Sequence, residues 1–272
     1  VTKVKLDRLY QIRNELLDNC EKCGGEGYLK SEIPGIPNPC ECMRVFDYVM
    51  ELVDAGISQD YWHLYLDDLK MEPEYINFVK LIFKNLERFR ENGLGVLFHG
   101  VNGIGKTSLM AEIGKEAIVR GYKVKYLSAQ MYVDETMKQT TDKSAYMNEL
   151  LTNDFILFDE IDKVYIKQGS NYVPKTLEMF LREAMVNANI CIISATNMDI
   201  KSFTSTFGES TVSMLKRKMK FIAVDGEDYS AVLSGAWDMK LQKTYNYYHP
   251  NIVKQADRRQ AIAVEQELEA WK

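Results

Sequence analysis

The chain is poor in histidine and has no long apolar run, no internal repeat and no low-complexity tract. Only His63, His99 and His249 are present, and no Ser–His–Asp set is suggested. Triad hydrolysis and catalytic-thiol chemistry are therefore poor readings. No stretch reaches the roughly 18 apolar residues of a membrane helix. No apolar signal core is visible near Val1, so a cytoplasmic location is expected. Basic excess is missing too: the net charge is −5, which excludes a general nucleic-acid coat and leaves room for a local basic patch. What is present is globular. Hydrophobic content is 46% and charged content 27%, and 272 residues suffice for one or two domains with a sizeable core.

Two helices are expected first. Leu6, Leu9, Ile12 and Leu16 recur at helical spacing, as do Met43, Phe46, Val49, Met50 and Val53, with Gly56 as C-cap. A Gly- and Pro-rich segment, 24–39, separates them. A boundary falls near 56–70, beyond which helices alternate with buried strands. Tyr75, Phe78, Val79, Ile82, Leu86 and Phe89 line one helix, and Thr107–Arg120 and Leu177–Val186 read as two more. Strands are expected at Val96–Phe98, Val124–Leu127, Phe155–Phe158, Ile190–Ser194 and Ile222–Val224. The alternation predicts an α/β fold, a parallel sheet covered by helices on both faces.

Strand Val96–Phe98 runs into Gly100-Val-Asn-Gly-Ile-Gly-Lys-Thr107, the G-x-x-x-x-G-K-T phosphate-binding loop (Walker A). Gly103 and Gly105 let the backbone curl with its N–H groups inward, and the following helix adds its positive end. Lys106 would reach the β- and γ-phosphates and Thr107 would hold Mg²⁺. Candidate nucleotide contacts are Gly100, Asn102, Gly103, Ile104, Gly105, Lys106, Thr107 and Ser108. The run Phe155-Ile-Leu-Phe-Asp159-Glu160 delivers two acids at a strand tip, the Walker B pattern. Asp159 would hold Mg²⁺ and Glu160 would deprotonate the attacking water. Asp162 reads as a solvated turn residue. The strand from Ile190 ends in Ser-Ala-Thr-Asn197, which could place the Asn197 amide between the two motifs. Together these predict an ATPase that uses ATP and Mg²⁺.

Cys20, Cys23, Cys40 and Cys42 form two close pairs separated by 16 residues, while Cys191 sits in an apolar strand. Four clustered thiols in a reducing compartment favour a metal over disulfides, and a closed four-thiolate set suits structural Zn²⁺. Glycines at 24, 25 and 27 suit a knuckle turn, and so short a loop has little core of its own. Unligated thiols and an iron–sulfur cluster are the alternatives.

The Walker pair and the Ser-Ala-Thr-Asn197 strand end resemble the AAA+ ATPases, with Asn197 at the sensor 1 position. Residues 56–230 are similar to helicase loaders of the DnaC/DnaI type. The similarity is carried by Gly56-Ile-Ser-Gln-Asp-Tyr61-Trp62, Leu66-Asp-Asp-Leu69, Phe207-Gly-Glu209, Ser213-Met-Leu-Lys-Arg217 and Gly226-Glu-Asp-Tyr229. IstB-like transposition ATPases share much of this core. The resemblance implies a zinc-bearing N-terminal domain (1–58) that grips a DnaB-family replicative helicase. It also implies an AAA+ ATPase domain (59–234) contacting single-stranded DNA, in a ring or spiral with ATP between subunits. A helical tail (235–272) follows. Slow, partner-stimulated hydrolysis in a bacterial cell, from a host or phage gene, is expected. Arg217 is the candidate arginine finger, though Lys216-Arg-Lys-Met-Lys220 could equally meet DNA phosphates. Two features depart from the loaders: Ser230 stands where they often carry arginine, and the tail holds an unfamiliar Tyr245-Asn-Tyr-Tyr-His249. An IstB-like helper and a nucleotide-gated adaptor with vestigial hydrolysis are the other readings.

Overall fold

A computed structural model describes residues 3–31, 35–138, 143–164, 172–226, 228 and 250–270. Helices α1 (Lys3–Asp18) and α2 (Glu41–Ala55) pack on each other. Between them lies an antiparallel ribbon, β1 (Tyr28–Leu29) with β2 (Asn38–Pro39). Helix α2 buries Val45, Tyr48, Val49 and Leu52, a stripe at helical spacing. Gly56 closes it in the left-handed conformation (φ 81°), as expected of a C-cap.

Beyond the linker come α3 (Pro73–Lys84) and α4 (Leu86–Asn92). The stripe from Tyr75 to Phe89 was expected to be one helix. It breaks at Asn85 (φ −118°), whose side-chain amide donates to the Leu81 carbonyl instead of letting the helix continue. Five strands then form one parallel sheet: β3 (Gly95–His99), β4 (Val124–Ser128), β5 (Phe155–Asp159), β6 (Cys191–Thr196) and β7 (Met219–Ala223). Their spatial order is β4-β5-β6-β3-β7. The parallel α/β expectation is thus met. The last strand lies earlier than Ile222–Val224. It is an edge strand with Lys220 exposed, and edge lysines obscure the apolar pattern while protecting the edge from pairing.

Strand side chains alternate between two apolar layers. Val96, Phe98, Phe155, Leu157 and Ile193 join α1, α2, α3 and α5 (Lys106–Val119). Leu97, Ile156, Phe158 and Ile192 face α6 (Ala129–Lys138), α8 (Tyr172–Arg182), α9 (Ile200–Phe207) and α10 (Glu209–Lys216). Helix α7 (Lys143–Leu150) precedes β5. Helix α8 starts earlier than the expected Leu177 and ends in a π-helical turn, Glu183–Asn187. Helix α5 is buried on nearly every side, including its charged Glu112, Lys115 and Glu116. It lies between the sheet and a second layer made by α2, α3 and α11 (Pro250–Ala270).

Helix α11 buries Ile252 and Ala256 against that layer. Arg258 bonds Glu116 on α5 with both terminal guanidinium nitrogens, and Arg259 bonds Glu51 on α2. The buried apolar residues of α1 and α2, from Ile12 to Ala55, share one cluster with the nucleotide-binding segment. Tyr229, Ser230, Tyr245-Asn-Tyr-Tyr-His249 and Trp271 lie outside the described residues. Among the described residues, no helix is long and apolar enough to cross a membrane.

Candidate functional site

Strand β3 ends at His99, and the loop that follows wraps a cleft of about 190 Å³ at the carboxyl end of the sheet. That is where parallel α/β folds place ligands. The glycines are required. A Cβ on Gly100 would come within 2.2 Å of the Val224 carbonyl oxygen, and Gly105 opens α5 at φ 85°. Asn102, Gly103, Gly105, Lys106, Thr107 and Ser108 line the cleft. Gly100 and Ile104 do not: Ile104 is buried and packs toward the Gly100 backbone.

The other wall is the tip of β5 with the residues after β6. Asp159 is 4% exposed. Its Oδ1 accepts the Glu160 N–H at 2.8 Å, and its Oδ2 accepts the Thr107 hydroxyl at 3.1 Å and the Tyr126 hydroxyl at 2.9 Å. Burial raises the Asp159 pKa despite these three donors. A buried carboxylate beside a hydroxyl, with no basic side chain among the described residues bonded to it, is a hard-oxygen donor set that fits Mg²⁺. Glu160 follows with φ 54°, a conformation that costs a non-glycine residue about 1–2 kcal/mol. Strain of this kind gathers at functional sites. Its Oε1 pairs with Lys163 at 2.5 Å, and both side chains line the cleft.

Asn197 stands between the two motifs, as its strand-end position suggested. Its Oδ1 accepts Lys106 Nζ at 3.0 Å, and that ammonium also donates to the Gly100 and Val101 carbonyls at 2.8 and 2.5 Å. Burial lowers the Lys106 pKa, opposed by Asp162 and Asp159. Asp162 departs from the solvated role expected of it. Its carboxylate accepts the Thr196 hydroxyl at 2.9 Å, the Asn197 N–H at 2.8 Å and the Asn197 side-chain amide at 2.8 Å. Burial alone would raise its pKa, but the Asn197 and Thr196 donors hold it below the ordinary value. A carboxylate can only accept, so Asp162 fixes which end of the Asn197 amide faces Lys106.

Sequence reasoning also missed Tyr61, Tyr126 and Lys115. Tyr61 sits in the linker and lines the cleft together with Thr107. Burial, then the Asp159 charge, pushes its phenol up to about 12. Lys115 is buried in α5, where it pairs with Glu112 at 2.6 Å and donates to the Tyr61 and Leu64 carbonyls at 2.8 and 2.5 Å. It thereby ties the linker to the phosphate-loop helix. Nothing in the local sequence marks these residues except the match of 56–62 to a linker motif.

The four cysteines converge at the other end of α2. Their Sγ atoms all lie within 4.8 Å of one another, with Cys20–Cys40 and Cys23–Cys42 each 3.6 Å apart. A tetrahedron with metal–sulfur bonds of about 2.3 Å has sulfur–sulfur edges of about 3.8 Å, so the cluster fits one Zn²⁺. A disulfide needs about 2.05 Å, and all four thiols are free. The Gly27 N–H donates to Cys23 Sγ at 3.2 Å, and Cys40 and Cys42 stand at the N-terminus of α2. Both arrangements favour thiolate charge. Burial and the neighbouring thiols push Cys42 up. At Cys20 the upward push of burial is overcome by the Cys23 N–H and the neighbouring thiols, to about 6. Four like groups so close cannot all ionise without a cation among them.

Arg217 lies exposed at the end of α10, just before β7, and so at the opposite end of the sheet from the phosphate loop. It does not line the cleft of its own chain.

The fold and the site define a P-loop nucleotide-binding protein of the parallel α/β class. Residues 96–222 match the family described as ATPase family associated with various cellular activities (AAA). The chain therefore carries an AAA-type ATPase core, the class that binds nucleotide with Mg²⁺. No curated protein matches the chain in sequence. Among solved structures it is similar to the DnaC helicase loader, with 16% identity and a TM-score of 0.51 over 62% of this chain and 100% of that one. It is also similar to AMPPCP-bound DnaA from Aquifex aeolicus, with 18% identity and a TM-score of 0.50 over 70% and 57% of the two chains. A third structure, the replication initiator DnaA bound to AMPPCP and single-stranded DNA, matches with 16% identity and a TM-score of 0.52 over 79% and 66%. At these identities the likeness is one of fold.

Proposed function

We propose that the protein is an ATP-hydrolysing loader of a DnaB-family replicative helicase. Residues 1–58 grip the helicase, 59–234 bind ATP and contact single-stranded DNA, and 235–272 form a tail. ATP binds between neighbouring subunits of a ring or spiral. Two of the similar structures support this assignment: one is the DnaC helicase loader, and the other is an initiator bound to single-stranded DNA. The observation that carries it is the position of α5. The helix that begins at Lys106 packs against α2, which bears Cys42, so the phosphate loop and the cysteine module meet through one buried helix.

The residues divide the chemistry as follows. The loop N–H groups and Lys106 bind and orient the phosphates. Asp159 and Thr107 would hold Mg²⁺, which supplies charge neutralisation when bound. Glu160 takes the proton of the attacking water, and Asn197 orients that water. Arg217, remote from its own cleft, acts on the neighbouring subunit's phosphate. The thiolates of Cys20, Cys23, Cys40 and Cys42 would hold Zn²⁺ as a structural centre of the helicase-facing module.

Glu160→Gln tests the reading. The variant should keep ATP affinity and lose turnover by about 10²–10⁴-fold, the scale of a general base. Immobilised with ATP, it should retain a DnaB-family helicase more strongly than with ADP. Equal turnover in wild type and variant, even with helicase and single-stranded DNA, would leave an adaptor without catalysis. Retention of a transposase in place of helicase would favour the IstB-like role.

A further inference from the structure

Asp159 has one side-chain partner that lies outside both nucleotide motifs. Tyr126 belongs to β4, the strand beside β5, where it pairs in register with Leu157. Its hydroxyl donates to Asp159 Oδ2 at 2.9 Å. The other donors to Asp159 are the Thr107 hydroxyl, from the phosphate loop, and the N–H of the adjacent Glu160. Thr107 must offer its oxygen to a bound cation, and the Glu160 N–H reaches only Oδ1. Tyr126 is thus the described side chain that grips Oδ2 from outside the cation's own donor set.

We propose that Tyr126 is a positioning residue for the magnesium ion, holding the Asp159 carboxylate in the orientation that receives the cation. The proposal rests on the cleft being a Mg²⁺-nucleotide site. Oδ2 is shared by Thr107 and Tyr126, so removing the phenol oxygen leaves it held by Thr107 alone and lets the carboxylate rotate more widely about its last bond. Such rotation would turn Oδ2 away from the Thr107 hydroxyl. Partners that orient metal-holding carboxylates change metal affinity by about 10–100-fold when removed. The nucleotide phosphates meet the loop and Lys106 instead, so binding of ATP without a metal should not depend on Tyr126.

Tyr126→Phe separates the two cases, since it removes one oxygen and keeps the ring. The readout is the affinity of the full chain for a fluorescent ATP analogue, measured with Mg²⁺ and again with EDTA. In the variant the gain in affinity conferred by Mg²⁺ should fall about tenfold or more. The EDTA value should stay at the wild-type level, and raising Mg²⁺ should restore binding. A Mg²⁺ dependence identical to wild type overturns the role of Tyr126. An equal loss with and without Mg²⁺ also overturns it, because that is the signature of a merely structural tyrosine. Wild-type protein whose ATP affinity ignores Mg²⁺ would instead defeat the reading of the cleft itself.

Discussion

Asp162→Asn is the sharpest test of how the site is held. All three partners of Asp162 are donors: the Thr196 hydroxyl, the Asn197 N–H and the Asn197 amide. The Thr196 oxygen already accepts the Met198 N–H at 3.2 Å, which directs its proton toward Asp162. An asparagine at 162 replaces one acceptor oxygen with an NH₂ group. Placed at the Oδ1 position, that group meets two donors. Placed at the Oδ2 position, it meets the Asn197 NH₂, and relief comes only if the Asn197 amide flips. The flip would point an NH₂ group at the Lys106 ammonium. At least one bond is lost and the others fall from charge-assisted, about 1.5–3 kcal/mol each, to neutral, about 0.5–1.5 kcal/mol. Asp162 is half-buried, so solvent screening trims the total to about 1–3 kcal/mol. Urea unfolding should report that loss. Turnover at saturating ATP should fall about 5–150-fold if the whole of it reaches the transition state. The effect has a pH signature. The folded pKa of Asp162 is depressed, so its stabilisation is fully present above the unfolded value of about 3.9 and is lost as pH falls through the folded value. The stability gap between wild type and variant should close in acid. Unchanged turnover together with an unchanged urea midpoint would refute the reasoning.

The cysteine centre predicts about one zinc per chain by elemental analysis. Cys40→Ser should abolish it and expose residues 20–42 to protease, whereas a metal-free module that resists protease equally well would rule zinc out. Arg258→Met should cost about 1–2 kcal/mol in thermal or urea unfolding, because the Arg258 side chain is 39% exposed and solvent screens the pair. It strips a bidentate partner from Glu116, whose side chain is 5% exposed, although Arg120 remains at 3.0 Å. Adding Glu116→Gln should recover part of that loss, and a strictly additive double variant would mean the pair is not coupled.

The Walker residues were legible in the sequence because their chemistry depends on covalent neighbours. Gly100 through Thr107 must follow a strand and open a helix, and Asp159 must end a strand, so spacing and residue type suffice. The parallel α/β class was legible for a similar reason, since β5 and β6 are buried on both faces and read as unbroken apolar runs. Strand β7 was less legible because its edge position admits lysines. Helix α5 reads as amphipathic, yet its polar face is buried too, because Lys115 and Glu116 found partners 51 to 142 positions away. Only the tertiary structure could place Tyr126 and Tyr61 beside Asp159, or Asp162 beneath Asn197. Those contacts join a neighbouring strand, a linker and a turn that meet only once the sheet has assembled out of chain order. An isolated tyrosine or aspartate carries no local mark of that meeting. Sequence alone determined that a nucleotide phosphate site and a four-cysteine cluster exist. The packing of α2 against α5 decided that the two are joined, because helix contacts depend on which faces the sheet leaves uncovered.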